Sequence, residues 1–513
     1  MTHRAPTARP VRFPDRCLIV ACLIAAAHAI VYFALLAAKW TTFDPALLDA
    51  ASLAWMMGDM LDVSGISGYW WRGVVWMIQP LTFLWIVPLA IFNHPLPLLA
   101  HGPLWTALGG LFCFALGRRL SGSGLVGLAC ELLVLLNPYT ALLCLAGVVP
   151  GAEGMALVPA MLLYRYSGRM RAFTVAAVLL AMCRIDFIPA LLLWGVWMRW
   201  RERSRPFGRR AMLVGGVALA ATLAFSALLL SPNAGMAWGD LHLGTGATFD
   251  PLFDVFSADN LRHLPLLLGL LFLPLIAPGL LVPTLVSLAM VLLTTSGALA
   301  DRPRRELCFD PDSVVSLWIT HYRVLLPFFS AAAVVGAIRL HKRMAARLGP
   351  RAAPLLAGSI IVLALAVHVM FTPAIFGPAP LTPQFNREAY AQTPRARLGW
   401  EFLAQVPEDD PALMSDTFYF RAWRHGKRQL LFSGQDELAF QNWALIDLYA
   451  PAIYLSRAEL VQRTLLMLDP RYYGVVRFED GYLLLRRGEE RTRNAEVRRW
   501  IEDNRQRLLR ARL

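Results

Sequence analysis

The chain has 513 residues, of which 57% are hydrophobic and 16% are charged, and its formal net charge is +14. This charge does not indicate a nucleic-acid partner, because much of the excess lies in short loops beside apolar runs, where the positive-inside rule places it. The seven cysteines show neither a disulfide framework nor zinc-ligand spacing. The composition therefore indicates a polytopic membrane protein.

The N-terminal segment, residues 1–16, precedes an apolar run from Cys17 to Ala38. That run is longer than a signal-peptide core and predicts an uncleaved first span. Basic residues before it place the N-terminus in the cytoplasm, and they are Arg4, Arg9, Arg12 and Arg16. The acid-rich segment 38–72 is then predicted to be the first external loop. The lipid bilayer is the predicted partner of the spans.

Residues 73–93 and 98–117 are both apolar enough to span. If both crossed, every later basic loop would lie outside, against the positive-inside rule. The first of them contains Gln79, Pro80 and Pro88, which disfavour a straight helix. We therefore interpret 73–93 as a re-entrant or membrane-surface helix of the first external segment.

Further apolar runs alternate with basic loops as far as residue 373, and together they predict a membrane domain over 17–373 with about eleven spans. Each run becomes a helix because hydrocarbon offers no partner for a free backbone amide. The same alternation places the C-terminus outside. The later runs are 125–138, 153–164, 172–183, 186–198, 211–230, 264–278, 281–296, 320–339 and 353–373.

The C-terminal region, residues 374–513, differs in composition. It opens with a proline-rich linker, 374–383. The turn Glu479-Asp480-Gly481 inside 474–486 is a strong hairpin signal. Strands are also predicted at 412–416, 428–433 and 443–448, and helices at 395–405, 456–468 and 490–510. The region is predicted to be a small extracytoplasmic α/β domain.

Several short motifs occur in one order along nearly the whole chain. They are Phe43-Asp44 with Leu47-Leu48-Asp49, Pro138 followed by Glu153 and Pro159, Leu271–Leu275 with Pro278 and Pro283, His321-Tyr322 with Leu326–Phe329, and Gly481–Arg487. In these the chain resembles the bacterial membrane protein family called domain of unknown function 2079, which is distantly similar to the GT-C class of membrane glycosyltransferases. The resemblance implies a GT-C-like helical bundle in the bacterial inner membrane.

The resemblance also implies candidate catalytic residues. In GT-C enzymes a carboxylate of the first external loop is the general base or a ligand of a divalent metal ion, and Asp44 stands at that place. A divalent metal ion is accordingly the candidate cofactor. The alternative for Asp44 is a helix N-cap before Pro45. Glu153 is the second candidate acid, and its alternative is a helix-start carboxylate favoured by the helix dipole.

Charged residues near the predicted outer surface are the candidate substrate-binding groups. Arg184 and Asp186 interrupt an apolar stretch, either as a structural ion pair or with Arg184 gripping a lipid phosphate. His321, Tyr322 and Arg323 open a span from the outside. They would bind a lipid phosphate or serve as interfacial anchors.

Two functions are consistent with these features. The first is inverting transfer of a sugar from a polyprenyl-phosphate donor at the outer face of the inner membrane. The second is a non-enzymatic membrane protein, either a lipid-linked glycan transporter or an envelope assembly partner. A transporter should carry charged residues in mid-membrane and an internal repeat. The acids noted above lie at external loop ends and no repeat is visible, which favours the enzyme.

Overall fold

The computed structural model describes residues 16–42, 84–145, 151–229, 264–285, 314–425, 428–430, 441–449 and 457–510, apart from single positions and short gaps within these ranges. Asp44, residues 377–379 of the predicted linker 374–383, and about half of the segment 73–93 lie outside the described residues. Among those described, the chain is mainly helical, with one small sheet in the C-terminal region.

A series of α-helices precedes the C-terminal region. They are α1 (Arg16–Thr41), α2 (Ile86–Phe92), α3 (Leu96–Leu99), α4 (His101–Ser121), α5 (Gly124–Leu135), α6 (Pro138–Leu145), α7 (Gly154–Tyr166), α8 (Met170–Cys183), α9 (Phe187–Trp200), α10 (Arg205–Leu229), α11 (Leu264–Gly269), α12 (Val314–Leu348) and α13 (Ala352–Phe376). Two residues define the turn between α4 and α5. Gly122 takes φ 75° and ends α4, and the Ser123 hydroxyl accepts a hydrogen bond from Val126 N–H at the start of α5.

Four helical stretches among the described residues are long and apolar enough to cross a membrane, and a fifth is gained if the bent pair α5 and α6 counts as one span. The four are Arg16–Thr41, Leu96–Ser121, Arg205–Ala224 and Val324–Thr372. The helices α8 and α9 are apolar but shorter. A membrane protein is therefore compatible with the fold, whereas the count of about eleven spans remains a prediction.

The basic turns meet at one end of the helix bundle. Cys17 Sγ lies 2.7 Å from where a Cβ on Gly124 would stand, so the start of α1 is beside the turn that follows α4. The Phe112 and Tyr164 rings are 6.4 Å apart on parallel helices α4 and α7. Phe173 and Phe207 pack at 5.1 Å where α8 and α10 begin. The turns that carry Arg118, Arg165 and Arg205 thus lie on one side of the bundle.

The predicted span 264–278 is wrong as a single α-helix. After α11 the chain forms three short 3-10 turns, which are Leu273–Ile276, Pro278–Leu280 and Val282–Thr284. Each turn contains a proline, which lacks a backbone donor and blocks a continuous helix. Leu271 and Phe272 also take positive φ values of 54° and 53°. The segment packs instead against α12, where the Arg339 guanidinium donates to Ile276 O at 2.7 Å.

The sheet of the C-terminal region is mixed, with strand order β2-β1-β3-β5-β4. Strand β1 pairs in parallel with β2 and β3, and β5 pairs antiparallel with β3 and β4. Asp480 and Gly481, at φ 44° and 76°, form the predicted hairpin turn between β4 and β5. The strands are β1 (Ala412–Met414), β2 (Arg428–Leu430), β3 (Trp443–Asp447), β4 (Gly474–Glu479) and β5 (Tyr482–Arg486).

Helices cover both faces of this sheet. Along β5, Leu483 and Leu485 pack into one apolar cluster, while Tyr482 and Leu484 pack into another. This alternation follows from the period of two along a strand. One face is covered by α14 (Pro394–Leu403) and α15 (Asp416–Tyr419), and the other by α16 (Arg457–Met467), α17 (Asn494–Asp503) and α18 (Arg505–Arg510).

The C-terminal region docks on the last turn of α1. The Arg421 side chain, 3% exposed, donates from Nε to Trp40 O at 2.9 Å and from Nη2 to Lys39 O at 3.4 Å. Trp400 Nε1 donates to Thr41 O at 3.3 Å. These bonds satisfy carbonyls that a helix end leaves without an intrahelical partner. The C-terminal region therefore lies on the side of the bundle where α1 ends.

Candidate functional site

The end of the bundle opposite the arginine turns gathers several of the predicted site residues. A Cβ added at Gly154 would lie 2.5 Å from Phe187 Cζ and 3.1 Å from Pro327 Cγ, so α7, α9 and α12 meet there. Glu153 immediately precedes α7, and Arg184 and Asp186 form the turn between α8 and α9. Candidates from two separate predicted loops thus share one end.

Glu153 is fully buried and forms a pair with His101, the first residue of α4. Glu153 Oε1 lies 2.9 Å from His101 Nε2, and neither side chain is exposed to solvent. Glu153 Oε2 accepts a hydrogen bond from Gly151 N–H at 2.8 Å. Its side chain does not cap α7. The carboxylate is therefore held by two donors, and it ties the starts of α4 and α7 together.

Arg184 and Asp186 form a direct ion pair between Nε and a carboxylate oxygen. The Arg184 side chain is 15% exposed and that of Asp186 is 40% exposed. The structural ion pair expected from the sequence is thus present. Because the pair is only partly buried, it lies at the rim of the bundle, and its role toward a phosphate remains a prediction.

The other candidates are described in part or not at all. His321, Tyr322 and Arg323 belong to α12, whose backbone is described there, whereas their side chains lie outside the description. Arg323 precedes Pro327 by about one helical turn. Pro327 contacts the start of α7, so this part of α12 lies at the Glu153 end. Asp44 lies outside the described residues, three positions after Thr41, where α1 ends.

The sequence motifs did not single out two further ionisable residues that are buried in the bundle. His101 begins α4 and pairs with Glu153. Glu131 is fully buried in α5, and neither of its carboxylate oxygens has a hydrogen-bond partner among the described residues. The signal for both was available, because an ionisable residue inside an apolar run is costly and is a functional candidate by default.

The break between α5 and α6 holds further polar groups inside the bundle. The two helices are bent by 57° around Leu136 and Asn137. His368 Nδ1 lies 3.0 Å from Leu136 O, a carbonyl near the break. His28 Nε2, from α1, lies 3.2 Å from Thr106 Oγ1. These contacts supply partners for polar groups that would otherwise be unsatisfied inside the bundle.

No group of three or more histidine, cysteine, aspartate or glutamate side chains that could hold a metal ion occurs within the described part of the chain. Glu153 is committed to His101 and Gly151 N–H. A divalent ion of the kind expected from the sequence would therefore require Asp44 or other residues outside that part. The described residues alone do not fit such an ion.

Comparison with protein-family models gives no match, and comparison with curated proteins gives none either. The resemblance to domain of unknown function 2079 and to GT-C enzymes therefore rests on the sequence motifs alone. Its functional content enters below as a proposal.

Proposed function

We propose that this protein is an inner-membrane glycosyltransferase that takes a sugar from a polyprenyl-phosphate donor on the extracytoplasmic side. The observation that supports the proposal is the grouping of the Glu153–His101 pair and the Arg184–Asp186 pair at the bundle end opposite the arginine turns. A carboxylate site and a guanidinium then lie at the same end of the helices. The transfer of a sugar from a lipid phosphate needs both functions.

The proposed reaction is a single inverting displacement. The acceptor hydroxyl loses its proton to a base, and its oxygen bonds to the anomeric carbon of the donor. The bond between that carbon and the phosphate oxygen breaks, and its electron pair leaves with the polyprenyl phosphate. Asp44 is the proposed carboxylate beside the acceptor, and Arg184 is proposed to contact the phosphate, since a guanidinium can bind two phosphate oxygens.

The proposed topology places the N-terminus in the cytoplasm and the C-terminal region outside. It is supported by the basic turns at one end of the bundle and by the docking of Arg421 on α1 at the other. A polyprenyl phosphate then reaches the Glu153 end from the outer leaflet. The bilayer and this lipid are the proposed partners.

The enzyme proposal is tested with purified full-length protein in nanodiscs and a radiolabelled polyprenyl-phosphate sugar. Transfer to added acceptor glycans is measured for the wild type, Asp44→Asn and Arg184→Ala, together with binding of the unlabelled lipid phosphate. Glu408→Gln, an exposed position in the C-terminal region, is the control. We expect Asp44→Asn to lose transfer but keep binding, because the amide keeps the shape of the side chain and removes the negative charge beside the acceptor.

Arg184→Ala and Arg323→Ala should weaken lipid binding, since each would remove one cation that is proposed to bind the phosphate. Normal transfer by Asp44→Asn at normal expression would refute the catalytic role of that residue. Unchanged binding in both arginine variants would mean that these cations are structural.

A second candidate function, transport of a lipid-linked glycan, is favoured by one observation. The carboxylate of Glu131 is buried inside the bundle. Glu131 belongs to α5, which together with α6 forms the helix pair bent by 57°. Discontinuous helices with ionisable neighbours are the arrangement in which secondary transporters bind ions and substrates. Glu131→Gln separates the two functions. A transporter should lose flux into proteoliposomes, whereas an enzyme should keep its transfer rate in nanodiscs.

A further inference from the structure

We propose that His101 is the proton acceptor of this site and that Glu153 is a positioning residue that acts through it. The inference rests on the proposed glycosyltransferase function and deepens it. In this arrangement the Nδ1 atom of His101 takes the proton of the acceptor hydroxyl as the hydroxyl oxygen attacks the anomeric carbon. The sequence alone pointed to Glu153 for catalysis and left His101 unnoticed.

In the proposed state Glu153 is ionised and the His101 imidazole is neutral. An ionised carboxylate can only accept, so in that state the 2.9 Å contact places the hydrogen on His101 Nε2. Nδ1 is then the unprotonated nitrogen. It is buried and has no hydrogen-bond partner among the described residues. A neutral imidazole with a free lone pair is the form that can accept a proton.

Glu153 cannot perform this step in the geometry observed. Its Oε1 is occupied by His101 and its Oε2 by the Gly151 amide at 2.8 Å. Once His101 has taken a proton at Nδ1, the adjacent carboxylate stabilises the imidazolium. The arrangement is the general one in which a buried acid orients a histidine and does not itself receive the proton.

The side chain of Trp85 packs against the His101 ring. The two rings meet edge to face, with centroids 5.3 Å apart. Trp85 precedes α2, and the nearby side chains of Leu84 and Val87 are 60% and 53% exposed. The indole therefore covers the imidazole from a segment with little packing on its outer side. An acceptor hydroxyl reaches Nδ1 when this ring turns aside.

A purely structural pair is the competing explanation. In that case His101 and Glu153 only hold α4 and α7 together, and the tautomer has no consequence for catalysis. Two substitutions distinguish the explanations without leaving a buried group unpaired. In His101→Gln the new amide can still donate to Glu153, but it cannot accept a proton.

Glu153→Gln acts through the tautomer. The Gly151 amide needs an oxygen acceptor, so the new amide would turn its NH2 group toward His101 Nε2. That nitrogen must then accept, and the hydrogen moves to Nδ1, which removes the proton-accepting atom while the histidine stays in place. The histidine should therefore carry its hydrogen on Nε2 in the wild type and on Nδ1 in Glu153→Gln.

The first measurement is solid-state nitrogen NMR of the full chain labelled with 15N-histidine, in lipid. The His101 signals are identified by their absence from His101→Gln. We expect an unprotonated Nδ1 in the wild type and a protonated Nδ1 in Glu153→Gln. A protonated Nδ1 in the wild type would overturn the proposal, whether or not the protein proves to be an enzyme.

The second measurement is the initial rate of sugar transfer from the radiolabelled polyprenyl-phosphate donor. Loss of a general base typically reduces the rate by about 100-fold or more. We expect such a loss in His101→Gln and in Glu153→Gln, and no further loss in the double variant. The control is His94→Gln, at a histidine whose Nδ1 accepts a hydrogen bond from Leu96 N–H, and its rate should be unchanged. Wild-type rates in His101→Gln would overturn the proposal.

The two proposals fail differently. If the wild type shows the expected tautomer but neither binds nor uses the lipid donor, the glycosyltransferase proposal and the catalytic role of His101 fall, and the pair is structural. If the lipid is bound and used but His101→Gln is fully active, the enzyme stands and the role of His101 is refuted.

Discussion

At the scale of single residues, burial controls the ionisation of the tyrosines beneath the sheet of the C-terminal region. Tyr473 is 1% exposed, and its hydroxyl donates to Gln441 O at 3.2 Å. Burial raises the pKa of Tyr473 to about 12, and the nearby Arg487 guanidinium opposes that change. Burial also raises the pKa of Tyr482, with a further contribution from Asp447. The fold therefore favours neutral phenols.

We predict from this an alkaline limit to the stability of the sheet. The pKa of Tyr473 is higher in the folded state than in the unfolded state. The contribution of the neutral Tyr473 phenol to the free energy of unfolding is therefore complete below the ordinary pKa of about 10. It is lost as the pH rises from there to about 12. Phenolate absorbance of the folded protein should show at least two tyrosines fewer ionised at about pH 11 than expected for exposed phenols, because the pKa values of Tyr473 and Tyr482 are both raised.

Tyr473→Phe should reduce this late absorbance by the contribution of one tyrosine, and Tyr472→Phe, at its partly exposed neighbour, should leave the late absorbance unchanged. An unchanged late step in Tyr473→Phe would show that another tyrosine is responsible.

Single residues also show what the sequence could and could not predict at the site. Glu153 was predicted as a candidate because it is an acid beside an apolar run. Its partner, 52 positions earlier along the chain, was not. Nothing in the local pattern around His101 indicates that pairing, because it depends on α4 and α7 running parallel. Residue type and position relative to hydrocarbon are local properties, whereas a pair between distant helices is a property of the packing.

At the scale of elements, the hairpin of β4 and β5 was predictable and the segment 264–285 was not fully so. Asp480 and Gly481 define a turn by their own conformational preferences, which no neighbour has to supply. The apolar run 264–278 looked like a span by hydropathy, but its prolines divide it into short turns. Hydropathy indicates whether a segment prefers an apolar environment, whereas its prolines determine whether its backbone can form a continuous helix.

The packing of those turns leads to a prediction for α12. A Cβ on Gly336 would lie 2.2 Å from Leu273 O, a backbone atom that cannot yield as a flexible side chain can. We expect Gly336→Ala to lower the free energy of unfolding by about 1–3 kcal/mol, as overpacking typically does. The measurement is unfolding of the purified protein in mixed micelles.

Gly358→Ala in α13 is the matched control, because a Cβ there would meet no atom within 4 Å. Alanine is also the better helix former, so this variant should be neutral or slightly more stable. Equal losses in the two variants would contradict close packing of the 3-10 turns on α12.

At the scale of the whole molecule, the alternation of basic and apolar segments predicted which ends of the helices lie together. The contacts between Cys17 and Gly124 and between Phe173 and Phe207 agree with that grouping. The number of spans could not be fixed in the same way. The helices α8 and α9 are shorter than a bilayer is thick, so hydropathy alone does not decide whether each crosses.

The proposed orientation yields a labelling prediction. In a variant with exposed Cys22 replaced, Glu408→Cys in the C-terminal region should react with a membrane-impermeant maleimide in spheroplasts. Arg347→Cys, in the last turn of α12, should react only after permeabilisation. The two positions lie at opposite ends of the bundle, so each serves as the control for the other. The reverse pattern would invert the topology.

The contact between Arg421 and Trp40 has a consequence for biogenesis. The two residues are 381 positions apart, yet the guanidinium bonds the carbonyls that end the first helix. A ribosome therefore delivers α1 to the membrane long before its partner has been translated. Until the helices between α1 and Arg421 have been synthesised, the carbonyls in the last turn of α1 lack these hydrogen bonds. Assembly of the protein is then completed by the C-terminal region, which closes over the helix that was synthesised first.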